Sequence, residues 1–329
     1  MLQPGWCSRH AFRQIKDLRM TIVVSLPARK TIDWWCEMLG DLLPDWDIYP
    51  MGEEPDPAKV TYAVVWRPTT GSMKHYSNLK AIVSVGAGID HVLADEELPS
   101  NVPIIRTVGE DLTQRMKEYI ALHVLRHHRE LPTLQEFQRG RKWEQVIVPP
   151  APGRRVGVMG LGNLGATAAR TLASLGFETV GWARSPKDVE GVRTYAGDQE
   201  FSAFLENTEI LVCLLPLTQH TRGILNADTF NRLKRGASVI NAARGPHLVD
   251  ADLLSALDAG QISHATLDVF HVEPLPTDHP FWSHPRVSVT PHVASLIDAP
   301  TGSKIIAANI QAFDEHGTVP DVADAVREY

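Results

Sequence analysis

The sequence of this 329-residue chain predicts an α/β protein with two domains, each built on a parallel sheet. Short runs of β-branched residues alternate with helical stretches throughout, which is typical of parallel strands joined by helices. The chain is also longer than one ordinary domain. A turn-rich segment at residues 148–153 separates one series of strands and helices from a second series.

The first series begins with Thr21-Ile22-Val23-Val24, whose β-branched side chains favour a strand. Its predicted elements are strands at 21–26, 63–66, 81–85 and 103–106 and helices at 30–39 and about 112–130. The long helix is expected to end before Pro132 because a proline disfavours helical backbone in the residue before it. The second series comprises predicted strands at 155–159, 178–182, 209–215, 237–241 and 264–269 and helices at 163–175, 250–259 and about 300–313.

The composition indicates a soluble globular protein, since 43% of the residues are hydrophobic and 22% are charged. A net charge of −7 argues against nucleic acid or an anionic membrane as a partner, and no apolar run approaches the ~20 residues that span a bilayer. Three widely spaced cysteines suggest a reducing compartment such as the cytoplasm, with Cys36 and Cys213 as small core residues.

Residues 1–19 form a segment apart, because they carry four basic residues and one acid but no apolar stretch of a secretory signal. An Arg-rich, acid-poor leader is one interpretation, since organellar transit peptides have this composition. The favoured interpretation is a dispensable extension before a start at Met20, because the first predicted strand follows directly.

A second local feature is the pair His123 and His127, four apart on one helix face. No acid accompanies them in an HExxH arrangement, so we expect them to face solvent or an interface rather than a metal.

A glycine-rich turn at residues 160–165 predicts a dinucleotide site. It follows the apolar strand at 155–159 and opens a helix of small residues, which is the context that this motif requires. Its glycines allow a tight turn, close approach of a phosphate and close packing of the helix on the sheet. The predicted cofactor-binding residues here are Gly160, Gly162, Asn163 and Leu164, with Gly165 completing the motif.

The next predicted strand ends in Arg184-Ser185 and has no acid at its tip. A carboxylate there would bind the ribose 2′-hydroxyl of NAD and would repel a 2′-phosphate. Arginine and serine can instead bind that phosphate, so NADP(H) is favoured over NAD(H). The alternative is a solvated arginine with NAD still preferred.

Three polar residues follow later predicted strands, namely Arg244, Glu273 and His292. A guanidinium can hold the carboxylate of a 2-oxo acid with two parallel hydrogen bonds. Hydride addition to the neighbouring carbonyl leaves charge on oxygen, and a histidine beside a carboxylate can supply the proton. Each residue also has a plain alternative: a surface ion pair for Arg244, a turn before Pro274 for Glu273, and a satisfied core position for His292.

With these motifs in order, residues 20–329 resemble the D-isomer-specific 2-hydroxyacid dehydrogenase family, and most of all its glyoxylate/hydroxypyruvate reductase A branch. The resemblance also rests on Val85–Asp90 (VGAGID), Leu214–Thr218 (LLPLT), Asn241–Gly245 (NAARG), Leu267–Phe270 (LDVF) and Thr290–Ala294 (TPHVA). It implies that Arg244 binds the substrate carboxylate, that His292 is the acid/base and that Glu273 orients it. Further substrate contacts implied are Trp66, Arg67, Gly86, Ala87 and Gly88, and further cofactor contacts implied are Leu215, Pro216, Thr218, Ala243 and Asp268, the last on the nicotinamide carboxamide.

The family architecture implies two Rossmann-like, doubly wound domains, with the nucleotide-binding domain (112–291) inserted into a discontinuous substrate domain (20–111 and 292–329). It also implies a homodimer formed through the 112–130 helix and the arm after it. The implied activity is NADPH-dependent reduction of glyoxylate or hydroxypyruvate. A bulkier 2-oxo acid remains an alternative, as does a non-enzymatic NAD(P)-sensing regulator. Formate dehydrogenase chemistry is disfavoured because it has no carbonyl oxygen to protonate.

Overall fold

The computed structural model describes residues 19–99 and 101–323, and the chain divides into two compact units. Among the described residues, unit 1 comprises 19–99, 101–109 and 297–323, and unit 2 is Glu110–Leu296. The predicted insertion of one α/β domain into another is therefore present. Residues 1–18, to which the two interpretations of the N-terminal extension apply, lie outside the described part of the chain.

The strands, in chain order, are β1 Thr21–Ser25, β2 Asp47–Pro50, β3 Val60–Val65, β4 Ala81–Ser84, β5 Ile104–Arg106, β6 Arg155–Met159, β7 Glu178–Ala183, β8 Arg193–Ala196, β9 Ile210–Cys213, β10 Ala237–Asn241, β11 Ile262–Leu267 and β12 Val287–Val289. The α-helices are α1 Arg29–Leu42, α2 Asp90–Leu93, α3 Glu110–His128, α4 Leu131–Arg139, α5 Asn163–Ser174, α6 Gly197–Leu205, α7 Ala227–Arg232, α8 Asp250–Asp258 and α9 Ala299–His316.

Unit 1 contains a five-stranded parallel sheet in the order β2-β1-β3-β4-β5. Its central strands β1, β3 and β4 are buried along almost their whole length, as expected for strands covered on both faces. Helix α9, from the end of the chain, packs on α1, where the ring of Trp35 lies against Gly302. The last helix therefore belongs to the same unit as the first strands, as the family architecture implies.

Unit 2 contains a seven-stranded parallel sheet in the order β12-β11-β10-β9-β6-β7-β8. The strand order reverses between β6 and β9. The chain adds β7 and β8 on one side of β6, and then adds β9, β10, β11 and β12 in turn on the other side. Ligands of doubly wound sheets bind at the carboxyl ends of the strands beside such a switch point. The predicted Rossmann-like fold is confirmed for this unit.

The bounds of unit 2, Glu110–Leu296, differ from the predicted domain bounds of 112–291 at both ends, and the larger difference is at the second end. The sequence-based division starts the returning part of the substrate domain at His292, whereas the structure includes this residue in unit 2. The reason is local: the N–H of His292 donates to the carbonyl of Asp268 at 2.8 Å. The following N–H groups, of Val293 and Ala294, donate to the carboxylate of the same aspartate.

The expectation for the two helical histidines is wrong. His123 and His127 are 6% and 4% exposed within unit 2, and Nε2 of His127 lies 2.9 Å from Oγ1 of Thr266. Leu122, on the opposite face of α3, is 61% exposed. The buried face of α3 thus carries these histidines among apolar side chains such as Ile120 and Val124. Of the two cysteines expected in the core, Cys213 is buried and Cys36 is half-buried.

No helix within residues 19–99 and 101–323 is long and apolar enough to cross a lipid bilayer.

Candidate active site

The three predicted catalytic residues follow three neighbouring strands of the unit 2 sheet. Arg244 comes after β10, Glu273 after β11 and His292 after β12, and these strands pair in parallel in that order. Because the carboxyl ends of parallel strands meet at one edge of a sheet, the loops that carry these residues leave the same edge. The glycine-rich turn after β6 leaves it too.

Glu273 and His292 form a hydrogen-bonded pair. Nδ1 of His292 lies 2.8 Å from Oε2 of Glu273, and the other carboxylate oxygen accepts the N–H of Phe270 at 2.9 Å. The side chains are 27% and 12% exposed. An ionised carboxylate can only accept, so the imidazole donates through Nδ1–H. Proton exchange with a substrate would then use Nε2, the nitrogen on the other side of the ring.

The backbone of His292 is held in the left-handed region, with φ of 54°. This conformation is uncommon outside glycine and persists where surrounding contacts over-determine it. Asp268 supplies those contacts, since its carbonyl accepts the His292 N–H and its two carboxylate oxygens accept the N–H groups of Val293 and Ala294, each at 2.9 Å. Asp268 is fully buried, and burial raises the pKa of its carboxyl above the ordinary value although these hydrogen bonds oppose the rise.

Two further hydroxyls complete this support, and sequence reasoning missed both. Thr290 donates through Oγ1 to Oδ1 of Asp268 at 2.6 Å, and the Tyr119 hydroxyl lies 2.7 Å from the same Oγ1. Because the threonine proton is used toward the aspartate, Tyr119 is the donor to threonine. Burial and the nearby carboxylate raise the pKa of Tyr119, which keeps its hydroxyl proton in place. Only the TPH segment hinted at Thr290, and no sequence signal marked Tyr119 on α3.

Arg244 is carried on a turn that packs directly against the segment leading to Glu273. A Cβ at Gly245 would lie 2.0 Å from the carbonyl carbon of Phe270, so only glycine permits this approach. Arg244 is half-buried, and Nη1 of its guanidinium donates to the carbonyl of Ala243 at 2.7 Å. The turn is closed by Asn241, whose side chain donates to the Arg244 carbonyl and accepts the N–H of Ala243.

His247 is a buried residue of the same turn that sequence reasoning also missed. Its Nε2 lies 3.2 Å from the carbonyl of Pro216, which can only accept, so this nitrogen carries a proton. Its Nδ1 lies 3.2 Å from the backbone nitrogen of Arg244 and 3.1 Å from the carbonyl oxygen of the same residue. His247 therefore joins the arginine turn to the loop after β9, where Leu215, Pro216 and Thr218 were predicted to contact cofactor.

The turn after β6 fits a dinucleotide. A Cβ at Gly165 would lie 1.7 Å from the carbonyl oxygen of Gly160, so the helix packs on the turn as closely as expected for a glycine-rich dinucleotide-binding turn. By contrast, a Cβ at Gly162 would meet nothing within 4 Å, which leaves open space over the N-terminus of α5. Backbone N–H groups and the helix dipole at such an end favour a pyrophosphate. Asn163 and Leu164 form the first turn of this helix.

Arg184 and Ser185 come directly after β7, the neighbour of β6, and both are exposed. The residues present therefore match a ribose that carries a 2′-phosphate, since the strand ends in a cation and a hydroxyl instead of an acid.

The predicted substrate residues lie in unit 1, at the carboxyl ends of two paired strands. Trp66 and Arg67 follow β3, and Gly86, Ala87 and Gly88 lie just beyond β4. The Trp66 ring packs on Gly86, where a Cβ would come within 2.7 Å of it. Unit 1 therefore brings these two segments together.

Comparison with known proteins places the chain. Residues 121–294 match the family described as D-isomer specific 2-hydroxyacid dehydrogenase, NAD binding domain. The chain is 40% identical to glyoxylate/hydroxypyruvate reductase A of Serratia proteamaculans over 83% of this chain and 89% of that protein. It is 36% identical to the Salmonella enteritidis protein of the same name, over 94% and 100%.

Solved structures agree with this similarity. A D-isomer specific 2-hydroxyacid dehydrogenase from Xanthobacter autotrophicus Py2, in complex with NADPH and MES, has 40% identity and a TM-score of 0.88, covering 94% of this chain and 99% of that one. An NADPH-dependent glyoxylate/hydroxypyruvate reductase from Sinorhizobium meliloti, in complex with NADP and sulfate, has 37% identity and a TM-score of 0.89, covering 94% and 100%. The chain belongs to the D-isomer specific 2-hydroxyacid dehydrogenase family, in its glyoxylate/hydroxypyruvate reductase A branch.

Proposed function

We propose that this protein is an NADPH-dependent reductase of small 2-oxo acids, with glyoxylate and hydroxypyruvate as substrates. The observation that carries the proposal is the Glu273–His292 hydrogen bond at the sheet edge that also bears Arg244 and the dinucleotide turn. The relatives named for this activity cover most of the chain. Loss of NADPH absorbance on adding glyoxylate or hydroxypyruvate to the purified protein is the direct test.

In this proposal each side chain has a defined task. The Arg244 guanidinium binds the substrate carboxylate with two parallel hydrogen bonds and polarises the adjacent carbonyl. Bound NADPH supplies the hydride. His292 gives its Nε2 proton to the carbonyl oxygen, and Glu273 keeps the ring oriented and offers a compensating negative charge while the ring holds two protons. General acid help of this kind is worth about 10²–10⁴-fold in rate.

The cofactor contacts follow from the fit of the turn after β6. We propose that Gly160, Gly162, Asn163 and Leu164 hold the pyrophosphate and that Arg184 and Ser185 hold the 2′-phosphate. On the nicotinamide side the proposed contacts are Leu215, Pro216, Thr218 and Ala243, with Asp268 at the carboxamide. Asp268 has a second task that the sequence did not suggest, since its carboxylate already anchors the loop of His292.

Trp66, Arg67 and the Gly86–Gly88 turn are proposed to contact the substrate, with backbone N–H groups of the turn directed at its carboxylate. A bulkier 2-oxo acid is the second candidate, because one methylene changes discrimination by only about 1–3 kcal/mol. Measuring kcat/KM for six 2-oxo acids of increasing size, with NADPH and with NADH, separates these cases. Binding of NADPH without reduction of any 2-oxo acid would instead favour a regulator.

We propose further that the protein is a homodimer and is cytoplasmic. The support for the dimer is an apolar surface on α3, α4 and the following arm, where large side chains are exposed: Leu122 61%, Leu125 39%, Leu131 41%, Leu134 37%, Trp143 98% and Ile147 94%. Exposed apolar patches of this kind mark interaction sites. Light scattering should give the mass of two chains for the wild type and of one chain for Leu122→Lys combined with Trp143→Ser.

A further inference from the structure

His91 lies in unit 1, on the short helix α2 directly after the Gly86–Gly88 turn, and neither the motifs nor the proposed chemistry give it a role. It is half-buried, three residues beyond Gly88. Its ring lies between two loops that follow neighbouring strands of the sheet, the Trp66–Arg67 segment after β3 and the glycine turn after β4.

The hydrogen bonds of His91 fix its tautomer. The backbone N–H of Arg67 donates to Nδ1 at 3.2 Å, so this nitrogen is the acceptor of the neutral ring. The other nitrogen, Nε2, lies 3.2 Å from Oγ of Ser84. Because the Ser84 hydroxyl donates its single proton to the carbonyl of Gly88 at 2.9 Å, its oxygen accepts here and Nε2 carries the hydrogen. A directed chain thus runs from Arg67 through His91 and Ser84 to Gly88.

The packing around the ring follows the same route. The centroid of the His91 ring lies 4.2 Å from that of Trp66. The Trp66 ring is in turn pressed against Gly86, where even a methyl group would not fit. Arg67 has φ of 54°, a left-handed conformation that a non-glycine residue holds only with support from its surroundings. The hydrogen bond from its N–H to His91 is such support.

We propose that His91, as the neutral Nε2–H tautomer, is a positioning residue that holds the Trp66–Arg67 segment and the Gly86–Gly88 turn in one arrangement and thereby sets the affinity for the 2-oxo acid. This inference rests on the proposed function, in which both segments contact the substrate. His91 itself acts through Arg67 and the turn rather than by touching the reacting atoms. Loss of His91 should therefore change the KM for the 2-oxo acid rather than kcat, because the proposed proton donor and the proposed NADPH contacts are residues of unit 2.

Three substitutions of His91 separate the two halves of the chain of hydrogen bonds. In His91→Asn the side-chain oxygen can take the place of Nδ1 and accept from Arg67. In His91→Gln the longer side chain brings its amide NH₂ to the place of Nε2, which keeps the contact with Ser84 and leaves the Arg67 N–H without this acceptor. His91→Leu keeps the approximate size and removes both contacts. Ser84→Ala is a milder fourth variant, should His91→Leu fail to fold.

Steady-state kinetics of the full chain with glyoxylate and NADPH test the proposal, with a thermal unfolding midpoint for every variant. We expect His91→Gln and His91→Leu to raise KM for glyoxylate about fivefold to tenfold. This is the effect of losing one hydrogen bond, the one from the Arg67 N–H, which neither variant can accept. Their kcat and their KM for NADPH should stay within about twofold. His91→Asn should restore KM for glyoxylate to within about threefold of the wild type.

The possible outcomes are distinct. Unchanged KM for glyoxylate in both His91→Gln and His91→Leu, with an active wild type, would overturn the role of His91 and leave the proposed function intact. A parallel loss of kcat, of both KM values and of thermal stability in all variants, without rescue by His91→Asn, would show a structural residue only. A wild type that reduces no 2-oxo acid would remove the proposed function and this inference with it.

Discussion

Oγ1 of Thr290 lies 2.6 Å from Oδ1 of Asp268 and donates to it, which links the loop after β12 to the end of β11. The same carboxylate accepts two N–H groups just beyond His292. The loop is thus anchored on both sides of the histidine, and these hydrogen bonds hold the ring in place to contact Glu273. Preorganisation of this kind is what a proton donor needs.

Replacing Thr290 tests this anchor. Thr290→Val keeps the shape but leaves Asp268 without one donor and Tyr119 without its acceptor, so we expect kcat to fall about tenfold and the free energy of unfolding to fall by about 1–3 kcal/mol. Thr290→Ser keeps the hydroxyl and is the matched control, with kcat within about twofold of the wild type. Equal kcat for the valine and serine variants would show that the anchor does not serve catalysis.

Gly245, in the turn that carries Arg244, lies against the backbone of Phe270, and a methyl group at this position has no room. Gly245→Ala must push the turn away from Phe270, so we expect kcat/KM for the 2-oxo acid to fall at least 100-fold, with lower thermal stability. Gly40→Ala is the control, because Gly40 lies inside α1 with nothing within 4 Å of the added carbon. It should raise stability by about 0.5–1 kcal/mol and leave the kinetics unchanged.

Arg184→Ala should separate the two nicotinamide cofactors. Removing the guanidinium takes away a charge-assisted contact with the 2′-phosphate, so KM for NADPH should rise about 10- to 100-fold. KM for NADH should change less than about threefold, and it serves as the internal control within the same variant. A similar rise for both cofactors would mean that Arg184 supports the fold or the adenine rather than the phosphate.

The buried histidines of α3 predict loss of stability in acid. Burial lowers the pKa of His127 to about 3 and that of His123 to about 4, so both are neutral in the folded protein. The unfolded chain binds their protons near pH 6.5, whereas the folded chain does so only near pH 3–4. Their contribution to stability is therefore present above pH 6.5 and is lost as the pH falls below it.

His127→Gln isolates this effect, because glutamine can still bond to Thr266 but does not titrate. Between pH 7 and pH 5, urea unfolding should show a loss of stability that is about 1–2 kcal/mol smaller in the variant than in the wild type. His316→Gln, the same change at a side chain that is 68% exposed, controls for the substitution. Parallel pH profiles for the wild type and His127→Gln would contradict the prediction.

The sequence predicted the elements whose residues obey simple patterns. The buried strands β1, β6 and β10 were found because β-branched and small apolar residues fill them. The edge strands β2, β8 and β12 were missed, since an edge strand needs less apolar sequence and can even contain Pro50. The helix α3 ends at His128, before Pro132 as predicted, but the sequence analysis missed the separate helix α4, which has Pro132 in its first turn, where proline is tolerated.

In the candidate site, the sequence predicted residues that stand in recognisable turns but not their supports. Glu273 and His292 were paired correctly, because each follows a strand and their chemistry is complementary. Tyr119, Thr290 and His247 were missed because hydrogen bonds between segments far apart in the chain leave no periodic signal. The positions of His123 and His127 were predicted wrongly because a four-residue spacing places two side chains on one helix face without showing whether that face is buried.

The most direct test of the whole account is the rate of NADPH oxidation with glyoxylate at pH 7 for the wild type, His292→Ala and the control His316→Ala. The proposed proton donor predicts that kcat for His292→Ala falls about 10²–10⁴-fold while the control matches the wild type. Tight NADPH binding by His292→Ala, measured by fluorescence, should persist, because the dinucleotide turn is untouched. A rate for His292→Ala equal to that of the wild type would contradict the assignment of His292 as the acid.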